Sequence, residues 1–256
     1  MKRFLVVFLG IIIFIVPEIS LGEGCADLDN DDKINILDVV YLINFIYKNG
    51  PDPDCGLEMS TMTDYDGNTY YTVKIGEQWW MAENLKVTHY RDGSVIPHVN
   101  DASWSSADYG AYCEYMTDEN YVAGFGRLYN WFAVDDSRNI APEGWHVPSN
   151  AEWQTLVDYL GGDAVAGGKM KETGTASWIS PNTGATDESG FHALPGGLRY
   201  DFGAFAGMGS VAWFWSSTES YSDYAWIREM TYNYAGVNSY DMGDKNNGMA
   251  IRCVKD

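Results

Sequence analysis

The density of aromatic side chains constrains the fold of this chain more than any other feature. Its 256 residues include 10 tryptophans, 18 tyrosines and 10 phenylalanines, together with 27 glycines. An acidic chain with few aromatic residues tends to stay disordered, whereas this much apolar surface is enough to form a core. Short strand-like runs and Gly-rich turns separate the aromatic residues. We therefore expect an α+β domain with few helices and short twisted antiparallel strands.

Local signals mark one hairpin and one helix. Asp66-Gly67 favours a tight type I′ hairpin turn, and the alternating run 71–75 is typical of a half-buried strand. Ser149 and Glu152 fit a capping box, which predicts a helix that begins there and ends at Gly161-Gly162. The stripe that this helix is expected to bury consists of Trp153, Leu156, Val157 and Leu160.

The chain divides into a leader, a small segment and a larger domain. Residues 1–22 have the features of a secretory signal peptide: a basic start, the apolar run 4–16 and small residues at a cleavage site. This apolar run of 13 residues is too short to span a bilayer, which needs roughly 17–25. We therefore expect cleavage, no membrane insertion, and a secreted or cell-surface protein. The Pro- and Gly-containing run 49–53 separates segment 23–56 from a domain at 57–256.

The net charge of the chain excludes some partners. It is −20 at pH 7, from 36 acidic and 16 basic side chains. A surface of this sign repels phosphate backbones and anionic lipid headgroups. We therefore expect neither nucleic acid nor an anionic membrane surface as a partner.

The segment from Asp27 to Asp38 has the spacing of a calcium-binding loop. Calcium takes six to eight oxygen ligands, and a twelve-residue loop supplies them from alternating side chains and one main-chain carbonyl. Three apolar residues, Ile34, Ile36 and Leu37, occupy non-ligand positions of the loop, which is rare in an arbitrary acidic run. We predict Ca²⁺ as the cofactor of a small loop–helix unit. The predicted ligands are Asp27, Asp29, Asp31, Lys33 through its carbonyl, Asn35 and Asp38.

This loop and the apolar run 38–43 that follows resemble one half of a type I dockerin repeat. The resemblance covers about 30 residues and implies calcium binding. Dockerins carry two such halves packed on each other, and this sequence shows one. The single half argues against a cohesin-type partner, although the apolar helix after the loop has to pack against the larger domain or another protein.

Four cysteines follow the leader, at Cys25, Cys55, Cys113 and Cys253. In an oxidising compartment an even number suggests disulfides, with three possible connectivities. We favour Cys25–Cys55, because these two residues bracket the calcium segment, and Cys113–Cys253 then remains. A zinc site is the alternative, but the cysteines form no C-x-x-C pair.

Six short motifs are distributed along the larger domain. They are Gly76-Glu77-Gln78-Trp79-Trp80-Met81-Ala82-Glu83-Asn84-Leu85, Leu128-Tyr129-Asn130-Trp131, Gly144-Trp145-His146-Val147-Pro148, Leu194-Pro195-Gly196-Gly197, Trp215-Ser216-Ser217-Thr218-Glu219 and Ile251-Arg252-Cys253-Val254. Together they resemble the Fibrobacter succinogenes major paralogous domain, a secreted bacterial module, over most of residues 70–256. The resemblance implies the C-type-lectin-like fold of formylglycine-generating enzymes, and it does not imply an activity.

The residues of these motifs are typical of structural positions. We expect His146 to be a core histidine with satisfied hydrogen bonds, and we expect Arg199, Arg228 and Arg252 to pair with carboxylates. Five tryptophans in apolar contexts are expected in the core: Trp79, Trp131, Trp145, Trp215 and Trp226.

Catalytic motifs are missing from the sequence. It contains neither a Gly-x-Ser-x-Gly elbow nor His-Glu-x-x-His, and nothing singles out a carboxylate pair for glycoside hydrolysis. The favoured function is therefore a non-catalytic binding module for polysaccharide or a cell-envelope partner. The alternatives are an assembly protein that docks through the calcium segment and an enzyme of unknown class. Solvent exposure of Tyr90, Trp104, Tyr200 and Trp213 would distinguish the binding module from the assembly protein, because a concave patch of exposed aromatic residues favours ligand binding.

Overall fold

Antiparallel β-structure with a few short helices dominates the part of the chain that the structure describes. The computed structural model describes residues 57–256. Its twelve strands are β1 (Met59–Thr63), β2 (Thr69–Ile75), β3 (Gln78–Met81), β4 (Tyr112–Cys113), β5 (Leu128–Tyr129), β6 (Trp145–His146), β7 (Gly196–Arg199), β8 (Phe205–Met208), β9 (Val211–Tyr221), β10 (Tyr224–Thr231), β11 (Asn238–Asp244) and β12 (Val254–Lys255).

The strands form two five-stranded sheets and one two-stranded sheet. The first sheet has the order β1-β2-β3-β12-β6, and the second has the order β11-β10-β9-β7-β8. The pairs are antiparallel except for β7 with β9, where Gly197 lies beside Ala212 in a parallel bridge. The small sheet pairs β4 with β5. This agrees with the expected few helices and short antiparallel strands.

Helices are short throughout the described residues. The longest, α3, has ten residues and is the helix that the capping box predicts. Ser149 accepts a hydrogen bond from the Glu152 N–H at 3.3 Å, and the Glu152 carboxylate accepts one from the Ser149 N–H at 2.8 Å. The predicted stripe on this helix is buried. The α-helices are α1 (Val122–Phe125), α2 (Trp131–Val134), α3 (Asn150–Tyr159) and α4 (Ala166–Met170), and 3₁₀ turns occupy Ala102–Ser106, Tyr115–Thr117 and Glu119–Tyr121.

The first hairpin has its turn where the sequence predicts it, but the turn is longer than expected. A loop at 64–68 replaces the two-residue type I′ turn, with Gly67 at φ +83°. Asp64 is the reason, because its carboxylate accepts hydrogen bonds at 2.9 Å from the main-chain and side-chain N–H groups of Asn68. The same carboxylate accepts the Tyr70 hydroxyl at 2.6 Å. These hydrogen bonds to the Asp64 carboxylate stabilise the longer loop, so a tight two-residue turn is not needed.

Aromatic residues make up much of the core, as their density predicts. One cluster contains Trp80 of β3, Trp153 of α3, Phe191 and Phe214 of β9, whose rings pack in tilted and edge-to-face pairs with centroids 4.8–5.9 Å apart. A second cluster joins residues of both large sheets, among them Trp215. Each large apolar side chain that is fully buried contributes about 1.5–3 kcal/mol to folding.

Three of the five tryptophans expected in the core are buried, namely Trp131, Trp145 and Trp215. Trp79 and Trp226 are half-buried. The indole N–H groups of Trp131 and Trp215 donate to the carbonyls of Ser216 and Tyr129 at 2.9 and 2.7 Å. Segments that are far apart in the sequence, including those that carry the family resemblance, are therefore bound directly to one another.

Candidate ligand-binding face

The solvent exposure of Tyr90, Trp104, Tyr200 and Trp213 was expected to distinguish a binding module from an assembly protein. These four residues form two pairs. Tyr90 and Trp104 are buried, with exposed fractions of 0% and 1%, so they cannot contact a ligand. Tyr200 and Trp213 are half-buried and pack against the cluster that joins the two sheets. Tyr200 also stacks on the exposed ring of Phe202, with centroids 5.0 Å apart and planes 8° apart. Trp213 is the residue of the four that belongs to a larger polar and aromatic surface.

This surface, the Trp213 face, lies on three neighbouring strands of the second sheet and consists of Trp213, Glu229, Asn238 and Tyr240. Glu229 of β10 is paired with Trp213 of β9 on one side and with Asn238 of β11 on the other. Paired residues of antiparallel strands share a face of the sheet, and Tyr240 shares it because it lies two positions beyond Asn238. The exposed fraction of Tyr240 is 43%.

Gly207 of β8 determines where the Trp213 indole lies. A Cβ atom at Gly207 would stand 2.5 Å from Cζ3 of Trp213, a distance that no real contact allows, and φ at this residue is +82°. The missing side chain therefore lets the ring lie directly against the neighbouring backbone. An aromatic ring supported in this way loses little conformational entropy when a ligand stacks on it.

Glu229 and Asn238 supply polar groups between the two rings. The Glu229 Oε1 atom accepts hydrogen bonds from the Asn238 amide at 2.9 Å and from the Tyr240 hydroxyl at 3.4 Å. Burial, together with the neighbouring Glu229 charge, raises the pKa of the Tyr240 hydroxyl, so it stays protonated as a donor. Within residues 57–256, Glu229 Oε2 and Asn238 Oδ1 accept no protein hydrogen bond and so can accept one from a ligand.

Sequence reasoning identified Trp213 and missed Glu229, Asn238 and Tyr240. The period-two spacing of Asn238 and Tyr240 is visible in the sequence and is typical of one face of a strand. The register that places them beside Glu229 and Trp213 is set by β-bulges and hairpins, which the sequence does not mark.

The predicted calcium ligands, Asp27, Asp29, Asp31, Lys33, Asn35 and Asp38, lie outside the described residues, and so do Cys25 and Cys55. Among residues 57–256, no group of three or more His, Cys, Asp or Glu side chains is arranged to hold a metal ion. In the same residues, no helix has the length and apolar character needed to cross a membrane.

The expected disulfide between Cys113 and Cys253 is not formed. Both residues are buried free thiols. Cys113 belongs to a small cluster around Trp104, whereas Cys253 belongs to the cluster between the two large sheets, so different parts of the core separate them. Burial raises the pKa of the Cys113 thiol to about 12 and also raises that of Cys253, which leaves both in the unreactive thiol form.

The arginine residues expected to pair with carboxylates bind main-chain carbonyls instead. Arg199 donates to the carbonyls of Val99 and Asp101 at 2.6 and 2.9 Å. Arg228 donates to the Asn150 carbonyl at 3.2 Å, and Arg252 donates to several carbonyls described below. All three side chains are at most 3% exposed. Loops that cross the core leave buried carbonyls, and a guanidinium group with five N–H donors can satisfy several of them at once.

His146 has satisfied hydrogen bonds, as expected, but it is not in the core. Its side chain is 35% exposed and lies between two carboxylates, with Nε2 2.7 Å from Glu152 and Nδ1 2.7 Å from Asp256. Partial burial opposes protonation, but the hydrogen bonds to Asp256 and Glu152 outweigh it and raise the pKa of His146. This histidine therefore joins β6 to α3 by charge rather than by apolar packing.

Comparison with known proteins identifies the family of this domain. The model of the Fibrobacter succinogenes major domain matches residues 73–255. No curated protein and no solved structure gives a significant match. The matched residues make up most of the chain and nearly all of the unit whose strands and core are described above. The protein belongs to the Fibrobacter succinogenes major domain family.

Proposed function

We propose that this protein is an exported, non-catalytic module that binds polysaccharide on the Trp213 face. The observation that carries the proposal is the placement of two aromatic rings on either side of Glu229 and Asn238. A sugar ring has an apolar face, which stacks on aromatic rings, and a rim of hydroxyl groups, which bind carboxylate and amide oxygens. The Trp213 face offers both kinds of partner on one surface.

The spacing of the face suits an extended chain better than a single small molecule. Two strand spacings and a two-residue rise place the Cα atoms of Trp213 and Tyr240 about 12 Å apart. One sugar ring cannot stack on both aromatic residues at this separation, but successive rings of an oligosaccharide can. The β11 strand is at the edge of the sheet, so a long chain can pass across it without meeting another strand.

The Trp213 face has one carboxylic acid where glycoside hydrolysis needs two, which favours binding of a polysaccharide without cleavage. Glycoside hydrolysis uses two carboxylic acids on opposite sides of the scissile bond. Among the four residues that define the Trp213 face, Glu229 is the one carboxylic acid, and one of its oxygens is already held by Asn238.

Affinity electrophoresis in gels that contain a panel of polysaccharides, with and without calcium, tests the proposal. We expect at least one polysaccharide to retard the wild-type chain. Trp213→Ala or Tyr240→Ala should each weaken that retardation about fivefold, since a lost aromatic contact costs about 1 kcal/mol. Tyr109→Ala is the matched control, because Tyr109 is 47% exposed but does not lie on the face. The proposal is wrong if no polysaccharide retards the protein, or if the control variant weakens binding as much as the face variants do.

The calcium segment completes the proposal. The spacing of Asp27 to Asp38 supports a structural Ca²⁺ site of the dockerin kind, attached to a domain for which we propose a C-type-lectin-like fold. The leader at 1–22 supports export to the cell surface or the medium. In this proposal the larger domain binds the polysaccharide and the calcium unit has a structural role.

A further inference from the structure

A cleft beside the first hairpin, the His89 cleft, has a volume of about 200 Å³, and none of the residues that line it belongs to the Trp213 face. Tyr65, His89, Arg91 and Glu143 line it together with apolar side chains. Pockets for drug-sized ligands have volumes of roughly 300–1,000 Å³, so this one suits a ligand the size of one ring.

Asp66 holds His89 in one orientation. The Asp66 Oδ1 atom lies 2.5 Å from His89 Nδ1, and Oδ2 accepts hydrogen bonds from the N–H and hydroxyl of Thr88 at 2.5 and 2.8 Å. Partial burial opposes ionisation of Asp66, but these hydrogen bonds outweigh it and lower its pKa. An ionised Asp66 places the imidazole proton on Nδ1. The other ring nitrogen, Nε2, has no protein hydrogen bond within residues 57–256 and is therefore an available acceptor.

Arg91 brings a positive charge and forms no ion pair with a carboxylate in the described part of the chain. Its Nε donates to the Ala141 carbonyl at 3.0 Å, and its Nη2 donates to the carbonyls of Pro142 and Trp145 at 2.7 and 2.6 Å. These bonds fix the guanidinium plane and use one edge of it. The remaining nitrogen, Nη1, has no partner among residues 57–256. A fixed guanidinium with a free donor is well suited to a carboxylate.

The ring of Tyr65 supplies the exposed apolar surface of the cleft. Val87, Ile140 and Ala141 also line it, but they are at most 2% exposed and offer a ligand almost no surface. Tyr65 is 60% exposed, and its ring centroid lies 5.7 Å from that of His89. A ligand between these groups would have one apolar side and one charged end.

The acids near the cleft leave Arg91 free. The Asp64 carboxylate is occupied by Asn68 and Tyr70, and that of Asp66 is occupied by Thr88 and His89. Glu143 is exposed in solvent, where water screens its charge. Arg91 Nη1 therefore remains a charged donor that is free to bind a ligand.

We propose that the His89 cleft binds one uronic acid, whose carboxylate is held by Arg91 Nη1 and whose ring hydroxyl donates to His89 Nε2. The site is independent of the Trp213 face, since the two share no residue. It adds a ligand class, acidic sugars, to the polysaccharide binding proposed for the Trp213 face.

NMR titration of the full chain with D-glucuronate and D-glucose tests this proposal, with the His89 side-chain resonances as the local reporter. Both ligands have the same ring, and only glucuronate has a carboxylate. We expect glucuronate to shift the His89 signals and to bind at least about tenfold more tightly than glucose, because a hydrogen bond between charged groups is involved. No shift with glucuronate, or equal affinity for the two sugars, would overturn the proposal.

Two substitutions of the same kind locate the site. His89→Asn keeps an N–H group toward Asp66 but removes Nε2, and it should weaken glucuronate binding about five- to tenfold. His192→Asn is the matched control, because His192 also pairs with an aspartate, Asp187, at 2.7 Å. Asparagine tolerates the φ of +52° at this position. If His192→Asn weakens binding as much as His89→Asn does, or if His89→Asn leaves it unchanged, the cleft is not the site.

Tyr65→Ala, on an exposed side chain, should also weaken binding and gives a second variant if His89→Asn is unstable.

Discussion

Replacing Arg252 with methionine should cost more stability than almost any surface change in this protein. The guanidinium is 1% exposed and donates four hydrogen bonds. Its Nε reaches Asn84 Oδ1 at 2.6 Å, and Nη1 reaches the carbonyls of Met81 and Phe191 at 3.0 and 2.5 Å. Nη2 reaches the His192 carbonyl at 2.9 Å. A single side chain thus holds together the segments around residues 81–84, 191–192 and 252.

The expected loss follows from these four contacts. A buried acceptor that loses its partner costs about 1–3 kcal/mol, so four acceptors could cost 4 kcal/mol or more. Arg252→Met also removes the cost of burying an uncompensated charge, which is several kcal/mol. We therefore expect a net loss of about 3–5 kcal/mol in the free energy of unfolding, a large fraction of the 5–15 kcal/mol typical of a domain.

Urea unfolding followed by tryptophan fluorescence measures this loss. Arg138→Met is the matched control, since Arg138 makes its contacts to Asp136 with a side chain that is 40% exposed. Arg252→Lys should fall between wild type and Arg252→Met, because one ammonium cannot reach four acceptors in three directions. If Arg252→Met costs less than about 1 kcal/mol, or no more than Arg138→Met, the carbonyl contacts do not stabilise the fold and the reasoning is wrong.

Three further predictions concern calcium, pH and the Trp213 face. Asp27→Ala should abolish the calcium-dependent thermal stabilisation of segment 26–48 in calorimetry, while the larger domain unfolds as in wild type. The pKa of His146 is raised in the folded state, so its stabilising contribution should be complete below about pH 6.5 and lost as pH rises through the folded-state pKa. The stability difference between wild type and His146→Gln should shrink accordingly between pH 5.5 and 8.5. Gly207→Ala should displace the indole of Trp213 and weaken polysaccharide retardation in affinity electrophoresis.

A different result would contradict each of these predictions. If calcium does not change the calorimetric trace of the wild-type chain, the prediction of a calcium-binding loop is wrong. A difference between wild type and His146→Gln that grows with pH contradicts the ion pairs of that residue. Unchanged retardation for Gly207→Ala, while Trp213→Ala weakens it, means that the position of the indole does not matter for binding.

Local features of the fold could be predicted from the sequence because their determinants lie within a few residues. The helix at Asn150–Tyr159 depends on Ser149 and Glu152, which form the capping box three positions apart. Asp66-Gly67 predicts the position of the first hairpin correctly. The length of its loop depends on Asp64, because the carboxylate of this residue accepts hydrogen bonds from Asn68 and stabilises a longer loop. The family was identified from short motifs, and the match over residues 73–255 confirms it.

Long-range features could not be predicted in this way. The contact between Asn84 and Arg252 joins residues 168 positions apart, and no sequence signal says that this arginine binds carbonyls rather than an acid. The free thiols of Cys113 and Cys253 show the same limit. Their pairing was expected by elimination, and no sequence signal says that the two residues belong to different core clusters. The Trp213 face depends on strand register, which is set by the whole sheet rather than by its own residues.

The position of β12 in the first sheet has a consequence for biosynthesis. This strand, at residues 254–255, lies between β3 and β6, which are more than 60 residues apart in the sequence. The β1–β2–β3 meander can pair as soon as it emerges from the ribosome, but β6 has no place in the sheet until the last strand arrives. Nascent chains stalled before Val254 should therefore remain protease-sensitive, and the native sheet should close only after translation has passed that residue.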